Sequence, residues 1–144
     1  MIPIKLILGY VVKTIIKAYR LKYIVYDIEK EEIIKWTKKY RTYLERLIED
    51  YSAYKPSYGD IEVQVLFDRK HDHYQLNSIG WHGNERIHSC LLHLDIKNEK
   101  IWIQYNGTEV SLAKELVTLG VPKEDIVLAF QPSYKRPHTG YAVG

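Results

Sequence analysis

The sequence pattern changes from helix to strand within the stretch Tyr54-Lys55-Pro56-Ser57-Tyr58-Gly59-Asp60-Ile61-Glu62-Val63-Gln64. Before it, residues 37–56 place apolar side chains at the i, i+3, i+4, i+7 spacing of an amphipathic helix, with Thr37 as the expected N-cap. Pro56 ends this helix, because it disfavours helical geometry in the preceding residue and has no N–H to donate. From Ile61 to Phe67, apolar and polar residues alternate as on a half-buried strand.

Residues 59–107 are predicted to continue as a meander of antiparallel strands, because short polar turns separate apolar runs with period two. Thr108 is then predicted to cap a helix closed by Gly120. A short strand follows at 127–130, and the remaining tail is irregular. The fold class is therefore α+β, with an antiparallel sheet covered by the helix of residues 37–56.

Residues 1–36 have a different pattern. Helical spacing around 11–19 gives way to runs rich in β-branched and aromatic residues at 23–26 and 32–36, which predict a hairpin. A helix and one hairpin are too small to bury a core alone. We therefore expect an N-terminal extension, residues 1–36, and a main domain, residues 37–144.

Composition limits the class of protein. The 144 residues suffice for one core, and the single cysteine, Cys90, cannot form an internal disulfide, which favours the cytoplasm. Lysines interrupt the apolar N-terminus, so we expect no membrane span and no targeting segment.

Positive charge is concentrated towards the N-terminus. Residues 1–58 hold 12 Lys and Arg against 7 Asp and Glu, whereas residues 59–144 hold 9 against 11. Such a basic part could contact nucleic acid or an acidic partner. The alternative is a solvated helix face rich in lysine, which is the commoner situation.

His71 and His73 alternate as strand neighbours that share a face, and this suggests a metal site. A third ligand would have to come from His82, His88, His93 or Cys90. No established zinc spacing is present, so we favour hairpin histidines that hydrogen-bond locally and expect no metal or other cofactor.

The sequence evidence for a catalytic pair of residues is equally weak. Cys90 and His88 share a strand face, but an apolar environment makes a thiol inert. Asp68, Asp72 and Asp95 fall at strand ends, where turns ordinarily place aspartate. We predict no catalytic residue and no enzyme activity.

Aromatic and basic residues are the more promising contacts, because tyrosine suits both protein interfaces and nucleic-acid stacking. Packing within the chain and contact with another molecule remain equal alternatives for the C-terminal tail. The candidate contact residues for a partner or nucleic acid are Tyr54, Lys55, Tyr58, Tyr134, Lys135, Arg136, His138 and Tyr141.

Four segments in order, residues 54–64, 72–76, 121–126 and 134–136, resemble the XisI-like family of cyanobacteria, the fdxN element excision controlling factors. The resemblance covers residues 37–144. It implies an α+β fold with a helix on an antiparallel sheet. It also implies a non-catalytic accessory to excision of a DNA element by a site-specific recombinase, acting with a XisH-like partner.

Residues 15–27 and 33–36 resemble the C-terminal tail of XisH, which would make the chain a fusion. An unrelated extension and a misassigned start codon are the alternatives. For function, a regulatory module that docks a XisH-like protein is the first hypothesis, with self-association as a further option. A protein that contacts DNA directly through its basic helix and tail is the second.

Overall fold

The computed structural model describes residues 4–54 and 56–144. Helix α1, Ile4–Ser52, is followed by strands β1 to β4, helix α2 and strand β5, with one-turn 3₁₀ helices at Lys123–Asp125 and Arg136–His138. The bounds of the later elements are Asp60–Asp68 for β1, His73–His82 for β2, Glu85–Lys97 for β3, Lys100–Asn106 for β4, Leu112–Thr118 for α2 and Ile126–Leu128 for β5.

The five strands form one sheet in the order β1-β2-β3-β4-β5. The first four are antiparallel neighbours, which confirms the predicted meander. Strand β5 is parallel to β4, with Ile126 opposite Ile101. A parallel neighbour requires a crossover of a dozen or more residues, and the segment that contains α2 supplies it. The sheet is therefore mixed, and the fold is α+β as predicted.

Gly59 explains how the chain enters β1 so soon after the helix ends. Its φ is +72°, and a Cβ at this position would lie 2.7 Å from the carbonyl oxygen of Trp81. Only glycine combines this left-handed conformation with such a close approach of two backbones.

The core lies between one face of the sheet and two helices. Since strand side chains alternate, residues of β2, β3 and β4 that share a face meet the apolar stripe of α1. Leu44 and Ile48 are completely buried there. The other buried apolar side chains of this core include Tyr40, Leu47, Tyr74, Leu76, Leu92, Leu94, Ile101, Ile103, Leu112 and Leu116.

Polar contacts fix α1 against the sheet. Nε and Nη2 of Arg41 donate to the two carboxylate oxygens of Asp72 at 2.6 and 2.8 Å, and the Tyr74 hydroxyl donates to the same group at 3.0 Å. The Arg41 hydrogen bond holds the pKa of Asp72 below its usual range. The Tyr40 hydroxyl of the same helix donates to Asp125. The two parallel hydrogen bonds between Arg41 and Asp72 fix the orientation of α1 as well as stabilising it.

Residues 4–36 of the N-terminal extension are helical, so the predicted hairpin of 23–26 and 32–36 is wrong. The residues between those runs, Asp27 to Glu31, include good helix formers and contain neither Gly nor Pro. The i to i+4 hydrogen bonds therefore continue through them. For the same reason Thr37 lies inside α1 and is not an N-cap.

The chain divides into two units between residues 36 and 37. Every described side chain from Lys13 to Trp36 is exposed, including Tyr23 and Ile34. Among the described residues, no part of a helix has the length and apolarity to cross a membrane.

Two smaller expectations also need correction. Ser111, not Thr108, caps α2, because the Ser111 hydroxyl accepts from the Lys114 backbone N–H. Thr108 instead donates its N–H to the side chain of Asn106 at 2.9 Å. The last strand ends at Leu128, not at residue 130.

Leu44→Ala should lower the free energy of unfolding of the full chain by about 2–5 kcal/mol, because a fully buried leucine leaves a cavity. The matched control is Leu21→Ala in the same helix, where the side chain is 54% exposed and we expect a change of about 0.5 kcal/mol or less. Urea denaturation followed by tryptophan fluorescence measures both. Equal losses in the two variants would contradict the assigned core.

Candidate partner-binding surface

A groove of about 740 Å³ lies between the last turns of α1 and helix α2. Leu47, buried to 7% exposure, lies on the α1 side, and Val110 lies before α2 with 46% of its surface exposed. The residues that line the groove are Arg46, Leu47, Asp50, Tyr51, Tyr54, Val110, Glu115, Thr118 and Leu119.

Tyr51 joins the two helices that form the groove. Its hydroxyl donates to the Glu115 carboxylate at 3.0 Å. Burial and, to a smaller extent, this hydrogen bond raise the pKa of Tyr51 to about 12, so the phenol keeps its proton near neutral pH. The ring of Tyr54 lies 6.5 Å from that of Tyr51, and the Tyr54 side chain is 77% exposed. The exposed ring of Tyr54 therefore lies beside Tyr51, whose position is fixed by its hydrogen bond to Glu115.

Both signs of charge surround the apolar centre of the groove: Arg46 on one hand and Asp50 and Glu115 on the other. An apolar centre with a mixed polar rim is typical of protein interfaces. Phosphate recognition depends instead on an excess of positive charge.

Two arginines on or beside α1 are already paired with carboxylates. Arg69 donates to Glu45 at 2.7 and 3.1 Å, and Arg41 binds Asp72 as described above. These two guanidinium groups are therefore less available for the DNA contact considered from the sequence.

The candidate contact residues fall in separate places. Tyr54 lines the groove, whereas Tyr58 lies at the β1–β2 end of the sheet, with its ring 5.1 Å from that of His82. Lys55 lies outside the described residues. The tail runs beside β5, where the Ala142 N–H donates to the Ile126 carbonyl. Because β1 and β5 are opposite edges of the sheet, Tyr58 and the tail do not share one patch.

Within the tail, Arg136 is used for folding. Its guanidinium donates to the backbone carbonyls of Gln131, Ala129 and Val143 at 3.0 to 3.4 Å, and it lies 5.6 Å from the ring centre of Trp102. Tyr141 is half-buried against the core. The side chains that the tail leaves exposed include Tyr134, Lys135 and His138.

The histidines of the hairpin are hydrogen-bonded, as expected. His71 Nδ1 lies 2.8 Å from Asp68 in its own turn. His73 Nδ1, however, lies 2.8 Å from Oδ1 of Asp95, and His93 Nε2 lies 2.9 Å from the same oxygen. The bond to Asp95 raises the pKa of His73.

From the sequence, His93 is one of several possible partners of His73, whereas Asp95 is grouped with other turn aspartates. Their meeting follows from register, since His73 is directly opposite Asp95 and His93 lies two residues before Asp95 on the same face. The turn at 83–84 alone would pair His73 with Leu94, and the register shift between Leu76 and Asn77 moves His73 opposite Asp95.

Cys90 behaves as a packing residue. Its thiol donates to the Leu92 carbonyl at 3.2 Å, and burial raises the thiol pKa, which disfavours the reactive thiolate.

A protein-family model described as "XisI protein" matches residues 34–143. The chain belongs to the XisI family. This confirms the resemblance drawn from the sequence motifs. The match leaves the suggested XisH tail as a prediction, since it begins only at residue 34. Among curated proteins, none matches the chain.

Two solved structures are similar to this XisI-family chain. One is a XisI-like protein from Anabaena variabilis ATCC 29413, with 45% identity, a TM-score of 0.70, and coverage of 74% of this chain and 97% of that one. The other is the fdxN element excision controlling factor XisI from the same organism, with 28% identity, a TM-score of 0.68, and coverage of 76% and 99%. Nearly all of each relative therefore corresponds to about three quarters of this chain.

Arg136→Lys should destabilise the XisI-family domain by about 1–2 kcal/mol, because lysine cannot reproduce the guanidinium contacts to several carbonyls. Its neighbour Lys135 gives the matched control, since Lys135→Ala changes an exposed side chain and should cost about 0.5 kcal/mol or less. Urea denaturation distinguishes the two. If Arg136→Lys leaves the free energy of unfolding unchanged, Arg136 is not needed for folding and is again a candidate contact residue.

Proposed function

We propose that this XisI-family protein is a non-catalytic accessory factor that controls excision of a DNA element by docking a XisH-like protein in the groove between α1 and α2. One solved relative, 28% identical, is described as an fdxN element excision controlling factor. Cutting and rejoining of DNA would then belong to a separate recombinase. With a single cysteine and no disulfide, the chain suits the cytoplasm for this role.

The groove is the observation that carries the proposal. It combines exposed Tyr54 and Val110 with a floor fixed by Leu47 and by the Tyr51–Glu115 hydrogen bond. Aromatic residues in a partly desolvated apolar pocket are the groups that most often dominate binding energy between proteins. Because Tyr51 and Glu115 already hold the two helices together, a partner would meet a largely preformed site.

Direct DNA contact is the second candidate, and the tail favours it. Tyr134 is 72% exposed, and the Lys135 ammonium lies 5.9 Å from its ring centre. Such an aromatic and basic pair could stack on a base and contact a phosphate. Its neighbour Arg136 is committed to backbone carbonyls, however, which leaves few cations at this position.

Two tyrosines of similar exposure distinguish the candidates, since Tyr54 is 77% and Tyr134 is 72% exposed. In the full chain, Tyr54→Ala should weaken binding of a full-length XisH-like protein by about tenfold or more, because it removes an aromatic group from the groove. Tyr134→Ala should change that affinity by less than about twofold, as expected for a residue outside the interface. Isothermal titration calorimetry measures both dissociation constants.

Failure of the wild-type chain to bind the XisH-like protein would refute the docking proposal. Loss of binding in Tyr134→Ala but not in Tyr54→Ala would move the contact to the tail. In that case, an affinity for DNA that falls steeply with salt would support the second candidate.

A further inference from the structure

The face of the sheet opposite the helices contains a built cluster of possible metal ligands, separate from the groove. A nitrogen of His73, a nitrogen of His93 and a carboxylate oxygen of Asp95 all lie within 4.8 Å of one another. We infer that these three side chains form a binding site for one divalent transition-metal ion, for which Zn²⁺ is the natural probe.

The donor set is the first argument. Imidazole nitrogen and carboxylate oxygen are established zinc ligands, and three protein ligands leave the fourth tetrahedral position open. Each residue offers its donor atom towards the other two, because both imidazole nitrogens face Oδ1 of Asp95.

The backbone supports the cluster rigidly. His73 is on β2 and is directly opposite Asp95 on β3, and His93 precedes Asp95 by two residues on the same face. Sites built on paired strands hold their ligands more firmly than sites on loops. The cluster therefore does not depend on the ordering of a mobile segment.

Gln104 supplies an outer-shell contact. Its side-chain amide donates to Oδ2 of Asp95 at 3.0 Å, which leaves Oδ1 for the histidines. Gln104 reaches this position at an irregularity of register between β3 and β4, where His93 pairs with Tyr105 and Leu94 pairs with Ile103. Outer-shell hydrogen bonds that orient a ligating carboxylate are a regular feature of metal sites.

Burial differs among the ligands in a way that suits metal entry. Asp95 is only 9% exposed, whereas the His73 side chain is 54% exposed. A buried carboxylate favours a nearby positive charge. A hollow of about 540 Å³ adjoins both histidines, which leaves room for a fourth ligand such as water; its lining is Leu66, Phe67, Asp68, His73, Gln75 and His93.

The two hydrogen-bond distances at Asp95 are slightly shorter than the ligand separations around a zinc ion. The two nitrogens now lie 2.8 and 2.9 Å from Oδ1 of Asp95, at hydrogen-bond distance. Ligand atoms of a tetrahedral zinc ion are separated by about 3.3 Å, given metal–ligand distances of about 2.0–2.1 Å. The ion would replace the shared protons, and each imidazole nitrogen would move away from Oδ1 of Asp95 by a few tenths of an ångström. The two nitrogens already lie within 4.8 Å of each other.

Titration of the untagged, chelator-treated full chain with ZnCl₂ by isothermal calorimetry tests the inference. We expect one ion per chain. His73→Gln and His93→Gln should each weaken binding by about tenfold or more, since each removes a ligand while glutamine can still donate to Asp95. Gln104→Met should weaken binding by about tenfold through the outer shell.

His71→Gln is the matched control, because His71 stacks on His73 with ring centres 6.4 Å apart but hydrogen-bonds to Asp68 instead of Asp95. Its affinity should stay within about twofold of the wild type, as expected for a residue outside the ligand set. No heat of binding in the wild-type chain would overturn the inference. So would equal losses in His71→Gln and His73→Gln, which would indicate adventitious binding to surface histidines. Circular dichroism of each variant verifies that the fold is intact.

Discussion

The packing of one apolar stripe of α1 on one face of the sheet is the constraint on which the rest of the structure depends. Leu44 and Ile48 are completely buried in this contact, and Arg41 and Tyr40 fix the helix to Asp72 and Asp125. Because strand side chains alternate, burial of one face commits every second residue of β2 to β4 to the core and the others to the opposite face. A shift of register by one residue would exchange the two sets, so the apolar stripe also determines which polar side chains can meet.

Two surfaces follow from this constraint, and they suit different tasks. The groove is formed where α1 ends and α2 crosses back to the sheet, and its exposed apolar groups favour contact with another protein. The helix-free face instead collects His73, His93 and Asp95 beside a shallow hollow. Since the two surfaces use different residues, changes in one can be made without direct contact with the other.

The main domain was largely predictable, because its signals are local and repeated. The alternation from Ile61 indicated the first strand, and polar turns separated the antiparallel strands, whereas α1 ends at Ser52, before the helix end predicted at Pro56. The helical structure of the extension was not predictable in this way. Tyr23 to Tyr26 have strand propensity, but they lie between helix formers, and no Gly or Pro interrupts the helical hydrogen bonds. The candidate site could not be predicted from the sequence, because it depends on which distant residues the fold brings together. Arg136 looked like a free cation in the sequence, yet the fold places it against Trp102 and three carbonyls.

Recognition of a macromolecule at the α1–α2 groove is the central claim, and it is tested most directly by hydrogen exchange of the full chain with and without a full-length XisH-like protein. Amide exchange reports which backbone segments become more protected in a complex. The account predicts slower exchange in residues 46–54 and 108–119, with the tail at 131–141 unchanged. Protection confined to the tail, or to the strands that bear His73 and His93, would contradict it.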